Sequence, residues 1–275
     1  MADPKRIEHS IIRMIWDKDS RTFVFKYFVD DFAYHSYKTC YKLIMDAVHE
    51  DPANTVVDML VSVNDEGVNV PNVINISDYR GNQMFPDYEF DESYDMKCQR
   101  IKEASITPWI HDKILWIGRV YNHHVVRNKL TTMNNDRCEF IKGDETNFIS
   151  HEDHCKYRYL LDVEGGPSLN APTGYSLRVK FLTHTGRLLF MVDRPLWSWA
   201  EDILQPFVHY VPVKRDLSNL YEMIQWADDN PEKVKDIIDN MTKIAPTRRD
   251  AVNQVKKLIA LYTNGHLYNS SHRKE

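Results

Sequence analysis

The sequence predicts an α/β fold, in which strands and helices alternate along the chain around a parallel sheet. Short runs of β-branched and aromatic residues, which are typical of buried strands, punctuate the chain. Between them lie stretches whose apolar residues recur every three or four positions, as on one face of a helix. Because strand, helix and strand follow one another, we expect parallel strands with helices packed on the faces of the sheet.

The first half of the chain contains six segments with such a pattern. Isoleucines at helical spacing predict an amphipathic helix near the N-terminus, and a longer helix is predicted further on from tyrosine, cysteine and isoleucine at similar spacing. In order, the predicted elements are a helix carrying Ile7, Ile11, Ile12 and Ile15, a strand over 21–29, a helix over 33–50, and strands over 55–64, 70–76 and 113–118.

The second half repeats this alternation. Its predicted elements are a strand over 157–163, a helix over 174–185, strands over 187–192 and 207–213, a helix capped by Asp216, a helix that begins at Asn230-Pro231, and a last helix over 252–262. The polar segment 144–153 lacks any pattern. We therefore expect two lobes, an N-terminal lobe over residues 1–148 and a C-terminal lobe over residues 149–275.

Composition excludes several classes of function. The 275 residues include 40 Asp and Glu against 35 Lys and Arg, a net charge of −5, and a net-acidic chain is a poor general binder of nucleic acid. The nine glycines spell neither the dinucleotide-binding fingerprint nor the P-loop. Any bound phosphate must therefore be held by side-chain cations and a few helix-terminal amides.

The sequence also bears on the compartment. No apolar run approaches the roughly 20 residues that span a bilayer, and the first 16 residues resemble no signal peptide. Cys40, Cys98, Cys138 and Cys155 lie far apart and form no CxxC pair. These features predict a cytoplasmic protein whose cysteines are free, buried thiols.

Several charged residues follow predicted strands or begin predicted helices. Arg178 stands where a loop becomes a helix, and an arginine beside free helix-end amides suits a diphosphate, although pairing with a surface carboxylate is an equally good reading. Arg119 and Arg127 follow a strand in a position where α/β proteins bind anions. Asp65 ends another strand, where a general base or a turn-forming residue is expected, and Asp78 is its rival.

Two candidate metal motifs are weak. Asp17-Lys18-Asp19 has the DxD form of a metal–nucleotide site, but no nucleotide-binding strands precede it, which favours a solvated turn. His151 and His154 could ligate zinc, but the sequence supplies no clear third ligand. We therefore predict no metal site.

Four C-terminal segments carry a family resemblance. They are YRYLLD (157–162), GYSLRVKFL (174–182), GRLLF (186–190) and LQPFVHYVPVKRDLSNL (204–220), with weaker counterparts upstream in VDMLVSVND (57–65), FPDYEF (85–90) and LWIGR (115–119). Together they resemble glycosyltransferase family 90, which includes Rumi-like protein O-glucosyltransferases and fungal capsule xylosyltransferases. The resemblance implies a GT-B fold, two Rossmann-like lobes facing a cleft, and inverting transfer from UDP-glucose or UDP-xylose without an essential metal.

The resemblance also assigns roles to individual residues. It implies that Asp65 is the base that deprotonates the acceptor hydroxyl. The resemblance also implies two groups of residues that bind the donor. Those for the diphosphate are Thr173, Gly174, Tyr175, Ser176 and Arg178, and those for a second donor contact are Gly118, Arg119 and Arg127.

The chain departs from the family pattern at two of these places. Ile117 stands where the family has an arginine, and Ser198, with Glu201 nearby, stands where it has an acidic residue. We therefore keep two hypotheses. The first is an inverting UDP-sugar glycosyltransferase, with xylose favoured over glucose, acting on a glycan or glycoprotein. The second is a non-catalytic sugar-nucleotide or glycan-binding protein. The oligomeric state stays open.

Overall fold

The computed structural model describes residues 11–17, 22–27, 34–50, 57–62, 73–122, 124–144, 146–165 and 176–263. Its helices are α1 (Tyr34–His49), α2 (Tyr94–Ser105), α3 (Val125–Leu130), α4 (His151–His154), α5 (Val179–Leu182), α6 (Trp199–Asp202), α7 (Leu220–Asp229), α8 (Pro231–Lys243) and α9 (Arg248–Thr263). None of these helices combines the length and the apolar composition that a membrane crossing needs.

A four-stranded mixed sheet forms the N-terminal lobe. It contains β1 (Ile11–Asp17), β2 (Thr22–Tyr27), β3 (Val57–Ser62) and β4 (Val73–Asn75) in the order β2-β1-β3-β4. Strand β1 runs antiparallel to both of its neighbours, and only β3 and β4 are parallel. This lobe is therefore mixed over its described strands, whereas a Rossmann-like lobe was expected.

The predicted N-terminal helix is wrong over the described residues. Residues 11–17 form β1, in which the side chains of Met14 and Trp16 are buried, whereas Ile15 between them is half-buried and Arg13 before them is exposed. This alternation has the period of a strand. The isoleucines at 11, 12 and 15 fit a helical stripe equally well, but β-branched residues favour an extended backbone.

A five-stranded parallel sheet forms the C-terminal lobe. Its strands are β6 (His111–Gly118), β7 (Cys138–Lys142), β8 (Tyr157–Asp162), β9 (Leu188–Val192) and β11 (Val211–Val213), in the order β7-β6-β8-β9-β11. All four strand pairs are parallel. The predicted α/β class is confirmed. The boundary predicted between residues 148 and 149 falls inside this sheet, because β6 and β7 belong to it.

Both faces of the parallel sheet are buried. Ile114 and Trp116 of β6 point to one face, which α7 and α8 cover with Leu220 and Ile237 among others. Leu115 points to the other face, which is covered in part by α5. Apolar side chains on both faces explain why these strands were recognisable as continuous apolar runs.

A short ribbon attaches the segment after β4 to the parallel-sheet lobe. Strand β5 (Ser77–Asp78) pairs antiparallel with β10 (Trp197–Ser198). Just beyond β5, the guanidinium of Arg80 lies over the ring of Trp197, 4.5 Å from its centroid, and donates to the carbonyl of Leu204. The amide of Gly81 donates to Asp202 Oδ1 at 2.8 Å.

The helix α9 follows the parallel-sheet lobe in sequence but packs on the N-terminal lobe. Its buried residues Val255 and Leu258 share one apolar cluster with Leu43 and Ile44 of α1 and Val61 of β3. The Tyr262 hydroxyl donates to the Leu60 carbonyl at 3.5 Å. The chain therefore returns to the lobe in which it began.

Candidate active site

The order of the parallel strands creates a crevice at one edge of the sheet. From β6 the chain passes to β7 on one side and then to β8 on the other side. The connections therefore diverge at the β6–β8 pair, and in open α/β sheets ligands bind outside the carboxyl ends of the strands at such a switch point. Gly118 and Asp162 end these two strands.

The indole of Trp116 lies beneath two arginines at this edge. Trp116 is almost fully buried, and the guanidinium carbons of Arg127 and Arg178 lie 5.6 Å and 5.8 Å from its ring centroid. Gly118 makes room for the ring, because a Cβ at position 118 would lie 2.7 Å from Trp116 Cζ2. The aromatic face thus attracts two cations to one place.

Arg127 joins the ends of the two central strands. It donates from Nη1 to the carbonyl of Arg119 at 2.8 Å and from Nη2 to the carbonyl of Val163 at 3.3 Å. Burial, with a further contribution from the positive charge of Arg178, lowers the pKa of Arg127 to about 10. The group still carries its charge at neutral pH, and an anion beside the two arginines would offset their repulsion.

Arg178 reaches the same edge from the start of α5. Its Nη1 donates to the carbonyl of Ile117, and its Nε lies 3.7 Å from Asp162 Oδ1. About a fifth of its side chain is exposed. Burial lowers the pKa of Arg178 from its ordinary value, although the Asp162 carboxylate opposes this shift.

Asp162 connects the arginines to a buried polar network. Its Oδ2 accepts a 2.6 Å hydrogen bond from Arg194, and its Oδ1 accepts one of 2.6 Å from the Ser176 hydroxyl. Burial disfavours the charge on Asp162, but Arg194 and Arg178 hold its pKa below the usual value. Asp162 therefore fixes Ser176, two residues before Arg178, to the end of β8.

Glu201 closes the network on the other side of Arg194. Its Oε1 accepts from Arg194 Nη1 at 2.9 Å and from the Ser176 amide at 3.2 Å, and its Oε2 accepts from the Ser198 amide at 2.9 Å. The side chain is completely buried, and burial outweighs Arg194 in raising the pKa of Glu201 to about 7.

A cavity of about 430 Å³ opens beside Arg127 at the same edge. Its volume falls within the usual range for small-molecule sites. Glu164, which follows β8, pairs there with Arg215 across 2.7 Å. The cavity is lined by His124, Val125, Val126, Arg127, Val163, Glu164, Arg215 and Asp216.

Comparison with known proteins identifies the family. The model of the family described as "Glycosyl transferase family 90" matches residues 84–263, which is more than half of the chain. The chain belongs to glycosyltransferase family 90. The match covers the parallel sheet and the residues around Trp116.

Curated relatives share shorter stretches with this family 90 chain. Human protein O-glucosyltransferase 1 is 31% identical over 125 residues, which are 44% of this chain and 30% of that protein. The mouse protein of the same name is 39% identical over 85 residues, 31% of this chain and 20% of its own. Uncharacterized protein 179R of invertebrate iridescent virus 6 is 33% identical over 106 residues, 36% of this chain and 8% of its own. The matches thus span less than a third of each of these relatives.

Two solved structures show a partial similarity to this chain. HepE of Anabaena in complex with UDP-glucose shares 14% sequence identity and a TM-score of 0.37, covering 61% of this chain and 44% of its own. Sucrose-phosphate synthase of Thermosynechococcus elongatus shares 12% identity and a TM-score of 0.40, covering 82% of this chain and 62% of its own.

The structure brings several residues predicted for the family 90 donor site together. Gly118, Arg127, Ser176 and Arg178 surround the ends of β6 and β8. Arg119 is exposed and contributes its carbonyl, which accepts from Arg127. Asp65, Thr173, Gly174 and Tyr175 lie outside the described residues.

The alternative base and the candidate metal ligands have other roles. Asp78 Oδ1 accepts from the Tyr79 amide at 2.7 Å and from Asn82 at 3.1 Å, as expected of a turn-forming aspartate. His154 Nδ1 lies 2.7 Å from the carbonyl of Ser150, and the His151 ring stacks on a phenylalanine. Over the described part of the chain, no group of three or more His, Cys, Asp or Glu side chains could hold a metal ion.

Sequence reasoning missed three residues of this site. Trp116 entered only as part of a predicted strand and of the LWIGR segment, with no role of its own, and Asp162 and Arg194 were not singled out. A charged residue that ends an apolar strand, as Asp162 does, was the available signal, and it had been applied only to Asp65 and Asp78. The pairing of Asp162 with Arg194 had no signal, because 32 residues separate them.

Proposed function

We propose that this protein is a glycosyltransferase that moves a sugar from a UDP-sugar to a hydroxyl of a glycan or glycoprotein, with inversion at the transferred carbon and without an essential metal. One observation carries the proposal: two arginines share the Trp116 ring at the switch point of the sheet, beside a cavity of ligand size. The family and the names of the curated relatives support the reaction class.

The chemistry requires charge stabilisation on the leaving group. As the bond to the sugar breaks, negative charge develops on the UDP diphosphate, and cations fixed in advance lower the energy of that state. Arg178 and Arg127 are held by the carbonyls of Ile117, Arg119 and Val163. These contacts hold both guanidinium groups at the ends of β6 and β8 before a ligand arrives.

Asp65 is the proposed base for the acceptor hydroxyl. It follows β3 by three residues, whereas the rival Asp78 is already engaged by the hydrogen bonds of its turn. For the donor sugar, family resemblance alone favours xylose, whereas the curated relatives named above are O-glucosyltransferases. Both UDP-xylose and UDP-glucose therefore belong in the test, and we expect UDP-glucose to bind at least as well.

The experiment is a calorimetric titration with UDP, UDP-glucose and UDP-xylose in the presence of a chelator. A charge-assisted hydrogen bond contributes about 1.5–3 kcal/mol, so Arg178→Ala should raise the Kd for UDP by roughly ten- to a hundredfold. Arg249→Ala removes an exposed arginine of α9 that pairs with Glu50 and lines no part of the cavity beside Arg127, so it should leave the Kd unchanged. Failure of all three ligands to bind, or an unchanged Kd in Arg178→Ala, would refute the donor site.

A non-catalytic binding protein is the second candidate. The acidic residue expected at Ser198 is absent, and the nearby Glu201 is buried against Arg194. The family resemblance implies that this acidic residue contacts the ribose of the UDP-sugar, so the ribose lacks that partner here. Asp65→Asn separates the candidates: an enzyme loses sugar transfer and keeps its affinity for UDP, whereas a binding protein shows no transfer even with aspartate at this position.

A further inference from the structure

A second cavity lies at the amino ends of the parallel strands. The donor crevice, which we define as the site around Trp116, Arg127 and Arg178, lies at their carboxyl ends. The second cavity has a volume of about 550 Å³, and Phe207, Trp226, Lys233, Asp236 and Asn240 are among its lining residues. Phe207 precedes the amino end of β11, whereas Arg215 of the donor cavity follows its carboxyl end. The two cavities are therefore separated by the length of the strand.

The loop that carries Phe207 is held by internal hydrogen bonds, and its backbone is strained at Phe207. The Phe207 amide donates to the Tyr210 carbonyl at 2.8 Å, and the Gln205 amide donates to His209 Nδ1 at 3.0 Å. Phe207 has a φ of 57°, a left-handed conformation that is rare and costly for a bulky residue.

The strain at Phe207 is not offset by burial of its side chain. Leu217 also has a positive φ of 61°, but its side chain is 2% exposed and belongs to the core. Phe207 is 49% exposed. The backbone at position 207 therefore holds an aromatic ring at the surface, in a conformation that glycine or asparagine would adopt at lower cost.

Trp226 forms a second aromatic wall. Its ring and that of Phe207 meet edge to face, with centroids 5.2 Å apart and an interplanar angle of 68°. Lys233 Nζ lies 5.9 Å from the centroid of the Trp226 ring. The two rings make a corner with apolar surfaces in two directions.

Polar groups on α8 border this corner. Asp236 and Asn240 lie one helical turn apart, so both project toward the same side of α8. Lys233 and Asp236 cancel in charge, and within the described ranges neither Asp236 nor Asn240 uses its side chain in a hydrogen bond. The cavity thus offers aromatic surface together with neutral, unengaged hydrogen-bonding capacity.

We propose that this cavity, the Phe207–Trp226 corner, binds a neutral sugar unit of a glycan chain without acting on it. A pyranose ring has an apolar face of C–H groups, which packs on an aromatic ring, and a rim of hydroxyls, which the carboxylate of Asp236 and the amide of Asn240 complement. A site at the amino ends of the strands would hold a long glycan by a unit remote from the donor crevice and raise its effective concentration there.

The test is a calorimetric titration with the neutral hexasaccharides cellohexaose, maltohexaose and xylohexaose, and with decaproline as a non-sugar ligand for aromatic grooves. We expect saturable binding of at least one hexasaccharide. Phe207→Asn, which keeps a residue that tolerates positive φ, should raise its Kd about tenfold, and Asn240→Ala should raise it severalfold.

Ile110→Asn is the matched control, since Ile110 is an exposed apolar residue (68% exposed) in a different segment, ahead of β6. It should leave hexasaccharide binding unchanged. Titration of Phe207→Asn with UDP tests the donor crevice separately, and we expect no change there. Absence of hexasaccharide binding, an equal Kd in Phe207→Asn, or binding of decaproline alone would overturn the proposal, whatever the outcome with UDP.

Discussion

At the scale of single residues, Gly118 shows how a small side chain supports a charged site. The ring of Trp116 occupies the space that a Cβ at position 118 would need. Gly118→Ala must therefore displace the ring on which Arg127 and Arg178 lie. We expect a loss of about 1–3 kcal/mol in the free energy of unfolding, as for other overpacked sites, together with weaker UDP binding.

Gly143 provides the matched comparison. Its amide donates to the Gly118 carbonyl at 2.9 Å, and a Cβ there would lie 3.2 Å from the Ile117 side chain, a contact that a small shift relieves. Urea denaturation should show a smaller effect for Gly143→Ala than for Gly118→Ala. The reverse order would mean that Trp116 moves freely.

Buried histidines predict acid lability. Burial lowers the pKa of His184 to about 4, and its Nε2 lies 3.1 Å from the Pro246 carbonyl. In the unfolded chain the His184 imidazole is protonated below about pH 6.5, whereas in the folded chain it is protonated only below about pH 4. The stability that His184 contributes is therefore complete above pH 6.5 and lost as the pH falls toward 4.

Urea denaturation at pH 7, 6 and 5 measures this effect. Wild-type stability should fall with decreasing pH, and His184→Gln should reduce the slope by up to about 1.4 kcal/mol per pH unit. Parallel wild-type and His184→Gln curves would contradict the assignment.

At the scale of elements, the β5–β10 ribbon depends on the turn that follows β5. Gly81 has a φ of 84°, and no atom lies within 4 Å of a Cβ built there. Any penalty for a side chain therefore comes from the backbone alone. Gly81→Ala should lower the melting temperature, with a cost of about 1–2 kcal/mol, while Gly81→Asn should cost less because asparagine tolerates this conformation. Equal losses in the two variants would point to a steric cause.

Most elements could be predicted because their apolar pattern matched one period. Strands β6, β8 and β9 are buried on both faces and appear as apolar runs, and α8 begins at Pro231 as predicted. The helix α2 escaped prediction because only Tyr94, Cys98 and Ile101 are buried in a largely charged segment. A stripe so narrow gives little signal.

Local sequence patterns predicted helix boundaries poorly where contacts with distant parts of the chain determine them. Asp216 was predicted to cap a helix, but α7 begins at Leu220, and the Asp216 carboxylate accepts from the Ser218 amide instead. The helix predicted over 174–185 shortens to Val179–Leu182 within its described part. The four cysteines are free and buried, as predicted.

The candidate site was predictable only in part for the same reason. Arg178 and Gly118 stand in segments with a recognisable pattern, whereas the Asp162–Arg194 pair depends on the loop after β9 folding back to β8. Such a contact between distant residues leaves no mark on either segment.

At the scale of the whole molecule, α9 couples the two lobes. Leu258 is 1% exposed and packs in the cluster of α1 and β3, although α9 follows the parallel-sheet lobe in sequence. Leu258→Ala should cost about 2–5 kcal/mol, and unfolding should remain a single transition. Tryptophan fluorescence and far-ultraviolet circular dichroism should change over the same range of urea concentration.

Ile106→Ala is the control, because Ile106 is 82% exposed, and it should have little effect on stability. Two separate unfolding transitions would show instead that the lobes unfold independently.

The return of α9 to the first sheet also sets an order of events at the ribosome. Strand β3 leaves the exit tunnel about 200 residues before the helix that covers it. At roughly 5–20 residues per second, the apolar side chains of the first sheet wait about 10–40 s for that cover. During this interval the nascent chain exposes the apolar surface that α9 later covers. Chaperone binding during translation is therefore expected to fall sharply once residue 263 has emerged.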